Sequence, residues 1–222
     1  THSFWVYQLS SSPSERSSSK RGTCRPKQPL RWWFLPCTSL AMAPPTETNL
    51  VPGVTGKNVV VAVIDSGVDP KNPGIKGRVI EAVDFTGTGG GDQFGHGTHL
   101  TSVIAGSERG ENFGGVAPDA RIVSLKVLKA DGSGETSDVI RALQWVRRNA
   151  QRYNIRVVNV SMGHPVFESY LEDPLCQATQ RLIDAGLIVI ASAGNNGKVS
   201  IDGEDVQVYG GIAVPGNRIE MK

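Results

Sequence analysis

Six consecutive apolar residues, five of them β-branched, run from Val59 to Ile64. A strand points successive side chains to opposite faces, so an unbroken apolar run fits a strand covered on both sides and misfits an edge or a half-wet sheet. The pattern returns in LIVIAS at 187–192, which reads as a fully buried strand, and IRVVNVSM at 155–162 reads as another strand. RIVSLKVL at 121–128 reads as a further strand, and RVIEAVDF at 78–85 alternates as a half-exposed one should.

Helical signals lie between these runs. HLTSVIAG at 99–106 places Leu100, Val103 and Ile104 on one side, with Gly106 as a stop. Thr136 or Ser137 can cap a helix in which Val139, Leu143 and Val146 recur at spacings of four and three. Asp173-Pro174 is a helix start, Leu175, Thr179, Leu182 and Ile183 can face inward, and Gly186 can end the segment. Strand and helix alternating in this way imply right-handed crossovers, hence an α/β fold with a doubly wound, mostly parallel sheet and helices on both faces.

The first 50 residues differ in kind and read as a low-complexity, disordered tail ahead of a domain at 51–222. Residues 1–40 hold nine serines and six Lys/Arg against the single Glu15, and lack hydrophobic periodicity. The remainder carries 17 basic and 20 acidic groups, which argues against a nucleic-acid partner, since phosphate binding needs a clustered basic footprint. No apolar run approaches the roughly 20 residues of a membrane span, and no signal peptide is visible at the start. Two of the three cysteines, Cys24 and Cys37, lie in the tail, and Cys176 falls on a predicted helix.

In sheets of this type, sites gather beyond the carboxyl ends of the strands. Asp65 follows the strand at 58–64, Ser161 to His164 follow 155–160, and Ser192 to Gly197 follow 187–191. His96 precedes a predicted helix. Each has a plain reading when taken singly: an Asp that caps a turn, a structural His, an Asn-Gly turn. His99 lies three residues from His96, but H-x-x-H lacks the Glu and the spacing of a zinc helix, so no metal is assigned.

Taken together, VVVAVIDSGVDP, GHGTHLTSVIAG, GGVAPDARIVSLKVLKADGSGETS, VNVSMG and VIASAGNNG occur in an order and at spacings that resemble the subtilisin-like serine proteases, from about Gly53 to Asn217. The resemblance implies a serine endopeptidase acting on polypeptide substrates. It makes Asp65 the carboxylate that orients an imidazole, His96 the general base and Asn195 the amide that stabilises the oxyanion. Losing that amide costs about 2.7–4 kcal/mol in subtilisin itself, so the figure belongs to the family and is not independent support. Gly132, Ser133 and Gly134 resemble one wall of the substrate cleft, Ser161, Met162 and Gly163 a second, and Ala193 and Gly194 a third. Small residues suit a wall on which a peptide pairs as an added strand. Many relatives are secreted and calcium-stabilised, so calcium and secretion enter only through the resemblance.

The chain also departs from the family pattern. His164-Pro165 stands where another glycine often follows the second wall. The family's serine nucleophile sits in a Gly-Thr-Ser-Met-Ala-like motif well downstream of the oxyanion Asn, and no such motif occurs by Lys222. Ser66, Ser133, Ser161 and Ser192 match other family positions. The expectation is a peptidase domain incomplete at its C-terminus, inactive by itself for want of a nucleophile. The competing expectation is a non-catalytic fragment or peptide-binding pseudo-protease.

Overall fold

The computed structural model describes residues 3–4, 53–107, 114–194, 198–201, 204–207 and 211–218. Apart from Ser3 and Phe4, the expected tail at 1–50 lies outside the described residues, as do Cys24 and Cys37.

Ser3–Phe4 forms a short strand, β1. The central sheet is built from β2 (Val60–Asp65), β3 (Val79–Asp84), β4 (Arg121–Lys126), β6 (Ile155–Val160) and β7 (Ile188–Ala191), in the order β3-β4-β2-β6-β7. All four pairings are parallel. The unbroken apolar run is also the most central strand: β2 lies between β4 and β6, and all six of its residues are buried. β3 alternates between half-buried and exposed residues at its edge, as its pattern predicts. β5 (Gly134–Glu135) pairs antiparallel with β1, and β8 (Lys198–Ile201) with β9 (Glu204–Gln207).

Among the described residues three α-helices cover the sheet: α1 (His96–Ala105), α2 (Thr136–Tyr153) and α3 (Pro174–Asp184). On α2, Val139, Ala142, Leu143 and Val146 recur on one face and are buried with Leu175 and Leu182 of α3 against Ile64, Leu125, Val158 and Val160 of the sheet. Burying one such aliphatic side chain stabilises the fold by about 1.5–3 kcal/mol. α3 starts as expected, with Oδ1 of Asp173 accepting from the Leu175 and Cys176 amides and Pro174 in the first turn. Gly186, at φ +82°, takes the left-handed turn that releases the chain into β7.

Some expectations are corrected. α1 begins at His96 itself, because Gly95 in a left-handed conformation (φ +93°) turns the chain directly into the helix. Its inward side is made of Gly97, Thr98, Thr101 and Ala105, whereas Leu100, Val103 and Ile104 are only half-buried. Small residues win here because α1 packs close to β2. Thr136 is the first residue of α2, and Glu135 takes the cap position without a side-chain bond. Ile183 is 36% exposed on α3.

The largest correction concerns β7. Val189 joins the α2–α3 core, but Ile188 and Ile190 on the opposite face are 61% and 54% exposed. That face is the one α1 covers: Val157, which pairs with Ile188, packs towards Val61, Ala105 and Ile122. α1 packs on β2 and β4, and among the described residues no helix covers the β7 side of this face.

Candidate active site

The rim at the carboxyl ends of the strands gathers the predicted acid–base pair. Asp65 ends β2 fully buried, and its backbone carbonyl accepts from the Val127 amide. Its Oδ1 accepts from the Ser66 amide at 2.7 Å, which fixes the carboxylate plane. His96, on the first turn of α1, places Nδ1 2.9 Å from both Oδ1 and Oδ2 of Asp65. A carboxylate can only accept, so Nδ1 carries the proton and Nε2 keeps a lone pair turned away from Asp65. Among the described residues, no group hydrogen-bonds Nε2.

Backbone contact sets this geometry. A Cβ at Gly97 would stand 2.1 Å from the Gly67 carbonyl oxygen and 3.2 Å from Cβ of Asp65, so only glycine lets α1 approach β2 this closely. The Gly97 amide donates to Oγ of Ser66 at 2.9 Å, tying the turn after Asp65 to the residue after His96.

A second carboxylate, Asp92, holds the other side of the helix start. Its Oδ1 accepts from the amides of Phe94 and Gly95, and Oδ2 accepts from the amide and hydroxyl of Thr98 at 2.8 and 2.6 Å. Burial pulls its pKa up, but the donors of Thr98, Gly95 and Ser66 outweigh this and hold it below the ordinary carboxylate value. Asp92 thus does the capping that Gly95 cannot. Lys126, buried at the end of β4, donates through Nζ to the Gly91 carbonyl and to Oε1 of Gln93, anchoring the loop ahead of His96. Asp92 was not singled out in the sequence; an acid just before a helix start was the available signal.

Burial is also the largest single influence on His96, and it disfavours the imidazolium. The hydrogen bond and charge of Asp65, with the charge of Asp92, nevertheless raise its pKa above the ordinary value.

The predicted wall residues are placed as follows. Gly132 (φ +76°) lies against the Phe94 ring, where a Cβ would come within 2.6 Å. Ser133 donates through its hydroxyl to Asp131, and Gly134 begins β5. Ser161 follows β6, where its hydroxyl accepts from Asn159. Met162 is buried, and Gly163 faces the Val214 carbonyl so closely that a Cβ would stand 2.3 Å from it. The segment 213–216 links the second and third walls: His164 exchanges backbone hydrogen bonds with Val214, and the Ala193 carbonyl accepts from Ala213. Ala193 and Gly194 are exposed. Asn195 lies outside the described residues. His164, the departure from the family pattern, is 5% exposed, with Nε2 3.4 Å from Oδ2 of Asp173. Among the described residues no group of three or more His, Cys, Asp or Glu is placed to hold a metal ion. No described helix is long and apolar enough to cross a membrane.

Comparison with known proteins agrees with this architecture. Residues 56–216 match the Subtilase family, Peptidase S8. The chain is similar to Serine protease AprX of Bacillus subtilis, 35% identical over 153 residues that cover 65% of this chain and 34% of that protein. It is 36% identical over 146 residues to Subtilisin E of the same organism, covering 65% and 36%. The crystal structure of a cold adapted subtilisin-like serine proteinase superposes with a TM-score of 0.55 at 33% identity, covering 65% of this chain and 50% of that one. The chain spans about a third of the length of the curated relatives it matches. With an all-parallel five-stranded sheet, flanking helices and a family match over most of its length, this chain belongs to the subtilase family of serine proteases.

Proposed function

We propose that this chain supplies the acid–base half of a subtilisin-like serine endopeptidase site and that the nucleophile comes from a segment outside these 222 residues. The observation that carries the reading is the Asp65–His96 contact at the strand rim. With Nδ1–H donated to Asp65, Nε2 takes the proton of a serine hydroxyl as that oxygen attacks the scissile carbonyl. The imidazolium so formed is stabilised by the buried carboxylate and returns the proton to the leaving amine. Asn195 stabilises the oxyanion, and the walls at 132–134, 161–163 and 193–194 hold an extended peptide.

The open sheet face supports the second half of the proposal. Val157, Ile188 and Ile190 form an apolar surface on the side of the sheet that bears α1. A segment packed there lies beside the helix that carries His96.

The test is a fluorophosphonate probe with peptide hydrolysis. The 222-residue chain labels nothing and cleaves nothing; the same chain joined to a downstream subtilase segment bearing the serine labels stoichiometrically and loses turnover on His96→Ala. Labelling of the chain alone, abolished by mutating one of its own serines, overturns the assignment.

A second reading has one observation in its favour. Ser3–Phe4 pairs antiparallel with Gly134–Glu135, so the edge of the first wall accepts a strand with no catalytic step involved. A peptide-binding role without hydrolysis predicts that the joined chain binds peptides and still fails to label.

A further inference from the structure

A cavity of about 640 Å³ lies between α2 and α3, across the sheet from α1 and His96. Leu143 and Ala178 form its apolar floor, and Gln144, Arg147, Arg148 and Arg181 complete the lining. Among the described residues no carboxylate lines it. Arg147 and Arg181 have no hydrogen-bond or ion-pair partner among the described residues, and Arg148 only returns Nε to the Gln144 carbonyl one turn back. Asp184, the nearest acid in sequence, is held by Gln180, and Asp138 near the start of α2 is held by Arg141.

Three unneutralised guanidiniums facing one space repel each other, and two of them are adjacent in sequence. Arg181 lies in the last turn of α3, where the macrodipole offsets part of this. It does not account for two helices turning these residues onto a single cavity of a size that suits a ligand. Guanidinium forks match carboxylates two hydrogen bonds at a time, and the primary amide of Gln144 adds a donor.

We propose that this cleft is an exosite for an acidic polypeptide segment, a short Asp/Glu-rich stretch of a substrate or partner protein, remote from the Asp65–His96 rim. Charge selects a peptide over a nucleic acid. Beyond residue 40 the chain is net acidic, with 17 basic against 20 acidic groups, so a long polyanion is repelled on either side of the cleft whereas a short acidic stretch fits within it.

The experiment is fluorescence anisotropy of a fluorescein-labelled octaglutamate peptide with the full 222-residue chain. The peptide binds, and binding weakens as salt is raised, because exposed charge pairs are screened. The triple variant Arg147→Ala, Arg148→Ala, Arg181→Ala weakens binding about tenfold, the scale of three exposed charge pairs together, while its circular dichroism is unchanged. The corresponding triple Lys variant retains intermediate affinity, since charge survives and the fork does not. Unchanged affinity in the Ala variant overturns the proposal, including the case in which the basic leading segment does the binding. Equal binding of octaglutamine, or tighter binding of a duplex oligonucleotide, overturns it too. A readout independent of variants is the set of arginine Nε–Hε NMR signals: octaglutamate shifts those of Arg147, Arg148 and Arg181, and shifts confined to other arginines contradict the site.

Discussion

Nδ1 of His96 lies 2.9 Å from both carboxylate oxygens of Asp65, 31 residues earlier in the chain, and raises the imidazole pKa in the folded state. A raised histidine pKa means that the folded state holds its proton more tightly than the unfolded chain. The stabilisation is therefore fully present below about pH 6.5, the unfolded value, and is lost as pH rises through the folded one. Urea unfolding as a function of pH will show stability declining across that window, and Asp65→Asn will remove the decline.

Asp92 acts with the opposite sign. Its pKa is lowered by the donors of Thr98, Gly95 and Ser66 acting against burial, so its contribution is present above about pH 3.9 and disappears as pH falls through the folded-state value. Asp92→Asn keeps the shape and loses the charge-assisted bonds to the start of α1. Stability at neutral pH will fall by about 1–3 kcal/mol, and the His96 titration will move down by less than in Asp65→Asn.

Gly97→Ala tests whether backbone proximity sets the pair. The new methyl meets the Gly67 carbonyl at 2.1 Å, and neither backbone can yield without shifting α1 from β2. A loss of about 1–3 kcal/mol is expected from overpacking. An unchanged urea midpoint contradicts the close approach of helix and strand.

The fold was legible in the sequence where burial is symmetric. Val59 to Ile64 is apolar throughout because β2 has strands on both sides and packing on both faces. Asp65 was legible for the same reason, as a polar residue closing such a run. The helix inside α1 was misread because periodicity finds large residues, whereas Gly97, Thr98, Thr101 and Ala105 face β2 through smallness. β7 was misread because an apolar run reports a demand for burial, and Ile188 and Ile190 have no cover among the described residues. Asp92 was hidden because its role depends on Thr98, which only the turn of the helix brings within reach.

That uncovered face makes its own prediction. Ile188→Ser with Ile190→Ser removes exposed apolar surface at 61% and 54% accessible positions without touching the core around Val189. Analytical ultracentrifugation of the chain will show self-association that the double variant reduces, because contiguous exposed apolar patches drive association. Equal association in both chains contradicts the assignment of this face as a packing surface.

The most direct test of the Asp65–His96 pair is the NMR pH titration of the His96 imidazole in the chain itself, compared with Asp65→Asn. The structure predicts a pKa above the ordinary histidine value of about 6.5, with Nδ1 protonated and Nε2 free in the neutral form, and a clear drop when Asp65 becomes Asn. A His96 that titrates at the ordinary value in both chains contradicts the claim that the two residues form a working acid–base pair.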